Sequence, residues 1–111
     1  MKEGEIILAN LPQTDGNIKL RPVLVLKQLP GYNDFLVCGI STQLHQLVKN
    51  FDELIDEKSN SFIQTGLRQS SIIRLGFLAV IPHKAIPGSI GRINSALHKN
   101  LLERLAKYLL Q

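Results

Sequence analysis

One cysteine, Cys38, is all that the 111-residue sequence contains, and it lies in an apolar run at positions 35–40. A single thiol allows no internal disulfide, and without a second Cys or a His-rich cluster the ligands of a zinc site are missing. In such a run the thiol reads as a small buried hydrophobe and a poor nucleophile, because apolar burial raises its pKa. Long hydrophobic runs are missing as well. None approaches the roughly 18–20 residues that span a bilayer, and the amino terminus has no segment with the length and flanks of a signal peptide. Cytoplasmic residence is the expectation. The sequence also lacks G-x-x-x-x-G-K-[ST], G-x-G-x-x-G, H-E-x-x-H and G-x-S-x-G, which removes the commonest nucleotide, dinucleotide, zinc-peptidase and serine-hydrolase readings. The tetrad at 88–91 matches the GXXG of KH domains, but Pro87 and an extended stretch surround it, so a turn is the better account.

What remains is a chain of 44% hydrophobic and 20% charged residues, of a size to form one domain over 1–111 around one core. Its formal charge of +4 makes a polyanionic partner plausible. Residues 4–9 read as a first strand, ended by Asn10, Leu11 and Pro12, with a loop over 13–17. Residues 22–29 read as a strand with Pro22 at its first position, since proline has no N–H to give to a ladder. Gly31, Asn33 and Asp34 turn the chain, and 35–40 returns as its hairpin partner. Both arms are apolar on successive positions, which implies cover on both faces.

The middle is ambiguous. Leu44, Leu47, Val48, Phe51, Leu54 and Ile55 fit a helical stripe, while 51–55 also fits a short strand. Residues 71–75 and 77–81 bracket Gly76, the mark of a bulge in one long bent strand. A last extended segment covers 86–93. Asn94 or Ser95 can then cap an amphipathic helix with Leu97, Leu101, Leu102, Leu105, Tyr108 and Leu109 on its apolar side and His98, Lys99, Glu103, Arg104 and Lys107 opposite. Without βαβ alternation, these elements predict a mainly β, α+β fold: a small antiparallel barrel with a C-terminal helix. The acidic residues Asp52, Glu53, Asp56 and Glu57 read as a solvated charge run.

Chemistry concentrates at Arg21. Proline at 22 restricts Arg21 to extended conformations, so its guanidinium is launched from a rigid strand. Ser41, Thr42 and Gln43 sit at the exit of the partner strand, where a hairpin brings them to the same rim. A fork of donors beside a hydroxyl suits an oxyanion, a phosphodiester in particular. An ordinary surface arginine beside a polar turn is the alternative with similar weight.

The segments at 4–9, 21–26, 39–43 and 67–75, taken in order, resemble the PemK/MazF family of toxin endoribonucleases over nearly the whole chain. The Arg-Pro strand followed about twenty residues later by Ile40-Ser41-Thr42-Gln43 carries most of that resemblance. It implies an SH3-like barrel and a homodimer that cleaves single-stranded RNA without metal or cofactor. It also implies neutralisation by a cognate antitoxin, with DNA met only indirectly through that antitoxin. By position it implies catalytic roles for Arg21 and Ser41 and an RNA groove lined by Thr42, Gln43, His45, Gln69, Ser70 and Ser71. His45 or water would be the base. The family precedent also favours a strand at 51–55. Two departures stand out: Ser41 replaces the usual threonine, and the loop before Arg21 lacks the Glu-Gln and paired glycines many members carry. A non-catalytic relative, gyrase-poison-like or degenerate and only docking an antitoxin, is the competing class.

Overall fold

Val23, Leu24, Val25 and Leu26 are apolar on four successive positions, a pattern that only a strand covered on both faces can bury. The computed structural model describes residues 3–12 and 16–111, and in it all four are fully buried. They belong to β2 (Ile18–Gln28), near the middle of a sheet with β1 (Glu5–Pro12), β3 (Phe35–Ser41), β4 (Glu53–Ile55), β5 (Ser71–Ile81) and β6 (Gly88–Arg92). The six strands run in the order β4-β5-β3-β2-β1-β6, with every neighbouring pair antiparallel. The helix α1 (Ser95–Leu109) follows.

Alternate residues of this sheet feed two cores. On one face Ile6, Leu24, Leu26, Cys38, Ile40, Ile73 and Leu75 pack with Leu101 and Leu105 of α1. On the other, Ile7, Ala9, Val23, Val25, Phe35, Val37 and Ile81 form a second cluster, covered at one end by Ile86. The sheet curls into a half-barrel. Its edges are drawn together by the connection from β4 to β5, whose 3-10 turn Ile63–Thr65 packs against β6. Two glycines permit that approach: a Cβ on Gly91 would overlap the Thr65 carbonyl, and one on Gly66, at φ 72°, would overlap the Ile90 carbonyl.

The helix begins where expected, with the Asn94 Oδ1 accepting from the Leu97 N–H at 2.7 Å. Leu101 and Leu105 are buried, each contributing about 1.5–3 kcal/mol of apolar transfer. Tyr108 and Leu109, expected on the same stripe, are 57% and 65% exposed because the last turn runs past the core. The ambiguous middle resolves as a 3-10 turn, Leu44–Gln46, and the short strand β4.

Four expectations are corrected. Strand β1 continues through Pro12, and β2 starts at Ile18, so Pro22 is not its first residue. Residues 10–12 and 18–20 pair only with each other, as a ribbon extending beyond the sheet. Ile18 and Leu20 on it are exposed, so no burial pattern marks it as strand. Pro22 falls just beyond the β2–β3 ladder, where β3 requires no N–H from it. Asp52 is not solvated: its carboxylate is buried and accepts the N–H groups of Val48 at 2.9 Å and Leu75 at 3.1 Å. His98, expected opposite the apolar side of the helix, is half-buried, its Nε2 lying 2.8 Å from the Leu26 carbonyl.

Candidate functional site: an arginine-lined cleft

The β2–β3 ladder pairs Val23 with Gly39, and the same register carried two residues further sets Arg21 opposite Ser41. Val23 faces the second core, and strand alternation puts Arg21 on the same face. Where that core ends, the sheet opens into a cleft of about 690 Å³ lined by Arg21, Pro22, Gly39 and Ser41 together with residues of β1, β5, β6 and the connections that follow β3 and β4. The Ser41 hydroxyl is held in place: it accepts from the Gln43 N–H at 3.0 Å and donates to Gln46 Oε1 at 3.4 Å.

The connection between β4 and β5 builds the facing wall. Glu57 and Ser70 clamp its two ends, with the Glu57 N–H donating to Ser70 Oγ at 2.9 Å and the Ser70 N–H to Glu57 Oε2 at 3.1 Å. Thr65 Oγ1 donates to the Phe62 carbonyl and accepts from the Leu67 N–H, fixing the turn that presents Gly66, Leu67, Arg68 and Gln69 to the cleft. Ser71 follows, buried, its hydroxyl donating to the Gln69 carbonyl.

Strand β5 supplies the floor through its bulge. Between Cys38 and Gly39 the partner on β5 jumps from Leu78 to Arg74, so Leu75, Gly76 and Phe77 are unopposed. In a regular strand, residues three apart point to opposite faces. Here the extra residues change the parity, and Arg74 and Phe77 both line the cleft, with the guanidinium carbon 5.7 Å from the ring centroid.

Arg21, Arg68 and Arg74 thus share one concave surface, and no lining residue among those described is acidic. Two ion pairs lie away from the cleft, between Lys27 and Glu3 and between Arg104 and Glu53. Like charges gathered on one concave surface raise the local potential and favour an anionic ligand. Of the residues singled out in the sequence, Arg21, Ser41, Thr42, Gln43, Gln69 and Ser71 come together here. His45 and Ser70 do not line the cleft: His45 is exposed on the 3-10 turn, and Ser70 is turned to Glu57. Sequence reasoning missed Gln46, Arg68, Arg74 and Phe77. Arg68 and Arg74 both lie within the segment at 67–75; the further signal for Arg74 is the bulge at Gly76, which changes the parity of the strand.

Cys38 belongs to the opposite face. Burial, with the Asp52 charge adding to it, pushes its thiol up to about 12.

A six-stranded antiparallel half-barrel with one C-terminal helix and a cationic cleft is the class of protein that fold and site define. Residues 2–109 match the model of the PemK-like, MazF-like toxins of type II toxin–antitoxin systems, and the chain belongs to that family. Solved structures share the fold. Toxin MazF-mt6 of Mycobacterium tuberculosis superposes with a TM-score of 0.69 at 24% identity, over 95% of both chains. A mycobacterial endoribonuclease in complex with its cognate antitoxin gives 0.70 at 11% identity, over 98% of this chain and 94% of that one. A further M. tuberculosis toxin gives 0.64 at 21% identity, over 92% and 97%. Comparison of the sequence with curated proteins gives no match.

Proposed function

We propose that this toxin acts as a metal-independent endoribonuclease on single-stranded RNA, with Arg21 and Ser41 as its catalytic pair and the arginine-lined cleft as its substrate groove. The observation that carries the reading is the gathering of three guanidinium groups and a held serine hydroxyl in one cleft without an acidic lining residue among those described. A cleft of that charge suits a phosphodiester chain and repels nothing along it.

In this reading the RNA 2′-oxygen forms a bond to the adjacent phosphorus, and its proton passes to water. The bond from phosphorus to the 5′-oxygen breaks, and that oxygen takes a proton from water, leaving 2′,3′-cyclic phosphate and 5′-hydroxyl ends. Negative charge grows on the non-bridging oxygens, where Arg21 donates in a fixed fork and Ser41 Oγ positions the phosphate. A guanidinium holds its proton firmly, so it suits the role of donor and not of base. His45 stands outside the cleft lining, which favours water as the proton acceptor. Thr42, Gln43, Gln69 and Ser71 offer polar contacts along the groove. By family and by the antitoxin-bound relative, a cognate antitoxin is the protein partner, and a homodimer in the cytoplasm is the working form.

The test is incubation of the purified protein with single-stranded RNA in EDTA, with end-group analysis of the products. Cyclic-phosphate ends support the nuclease; intact RNA bound without cleavage supports a non-catalytic binder on the same half-barrel.

A further inference from the structure

Phe77 lies so close to Gly39 that a Cβ there would stand 2.8 Å from its Cδ2. Only glycine therefore lets the ring settle on β3, and the ring in turn carries the guanidinium of Arg74, paired with Gly39 across the ladder. Stacking on a ring occupies the guanidinium face and leaves the in-plane N–H groups to donate. No hydrogen bond or ion pair to a described residue takes up those donors of Arg74, and no described acidic residue lines the cleft into which it projects. A half-buried arginine lying over a ring, with its donors untaken by described residues, is prepared for an external acceptor.

Placement says which acceptor. Arg21 and Arg74 stand on β2 and β5, the two strands that flank β3. They are offset by one two-residue step in register, which on a flat sheet separates their Cα atoms by about 12 Å. Two long side chains rooted that far apart, one of them lying over the Phe77 ring, can each take a different phosphate of one chain.

We propose that Gly39, Phe77 and Arg74 form a second phosphate subsite, in which Arg74 grips the RNA phosphate next to the one held by Arg21 and Ser41. The subsite rests on the reading of the cleft as an RNA groove. Arg74 is here a binding residue, with Phe77 and Gly39 positioning it.

The probe is a pool of short, randomised single strands built with 2′-deoxy sugars, which keep every phosphate but lack the attacking hydroxyl. Affinity is measured by fluorescence anisotropy across a salt series. Arg74→Ala should weaken binding about tenfold or more and flatten the dependence of log K on log salt by about 0.7, the share of one phosphate contact on a single strand. Arg74→Lys should keep the salt slope of the wild type while regaining only part of the affinity. Where Arg74→Ala fails to fold, Arg74→Gln, which keeps the length and loses the charge, should show the same loss of slope. Unchanged affinity and slope in the folded charge-removing variant would overturn the subsite and leave the RNA reading standing. Absence of binding by the wild type would overturn both.

Discussion

Arg104 and the cleft arginines are the same residue type on opposite faces of one sheet, and their surroundings differ in every respect that matters. The Arg104 guanidinium donates to the carbonyls of Phe51 and Asp52, to Glu53 Oε1 and to Asn100 Oδ1. It ties α1 to β4 and the approach to it. The cleft arginines line a surface with no described acid, and Arg74 has only a ring beneath it. Arg104, its donors filled by its own chain, is a fastener; Arg74, whose donors no described residue takes up, faces the hollow as a receptor would. Adjacent residues mark the division, with Cys38 facing the Arg104 side and Gly39 the cleft.

The largest effect that tests this contrast is on activity. Arg21→Ala should lower RNA cleavage by about 10²–10³-fold, the loss found when one preorganised donor to developing charge is removed. Its melting temperature should stay within a few degrees of the wild type. Cleavage retained at the wild-type rate would remove Arg21 from the mechanism and with it the contrast.

Arg104→Ala should do the reverse. Losing a charged donor to two carbonyls and a carboxylate costs about 2–3 kcal/mol, which lowers the melting temperature by roughly 10 °C in a domain of this size. Cleavage per folded molecule should be unchanged. A variant as stable as the wild type would show that the fastener holds nothing.

How readily each region could be read from the sequence follows the same division. The β2–β3 hairpin, the bulge at Gly76 and the capped helix were legible because local rules dictate them: apolar runs about turn residues, an isolated glycine in a strand, and Asn ahead of a 3.6-residue stripe. The meeting of Arg21 and Ser41 at one rim was legible because a hairpin fixes its own neighbours. Asp52 was misread because a run of acids resembles solvated surface until long-range contacts bring Leu75 to it. Arg74 was overlooked because its place depends on parity across a bulge, and parity is a property of the paired strand. The ribbon at 10–12 and 18–20 was missed because exposed pairing leaves no hydrophobic period.

Cys38 reports on the Arg104 side through pH. The unfolded thiol releases its proton near 9.0 and the folded one only near about 12, because burial first and the Asp52 charge second oppose the thiolate. Raising the pH through that window therefore favours the unfolded chain. The contribution is fully present below about 9 and is lost progressively toward 12. Urea midpoints of wild type and Cys38→Ala, followed across that window, should converge as the pH rises. A constant difference would mean that the thiol titrates alike in both states.

The smallest effect expected is at Ser41, and it tests how well the cleft holds its own groups. Threonine there would add a γ-methyl that restricts χ1, an advantage wherever the hydroxyl must otherwise be ordered by substrate. In this cleft the serine hydroxyl is already fixed between the Gln43 N–H and Gln46 Oε1. The entropy left to gain is a few tenths of a kcal/mol, so Ser41→Thr should change kcat by about twofold or less. Ser41→Ala, which removes the group, should cost far more. A rise well beyond twofold for Ser41→Thr would mean that Gln43 and Gln46 do not order the hydroxyl, and that the preorganisation credited to this cleft rests on the arginines alone.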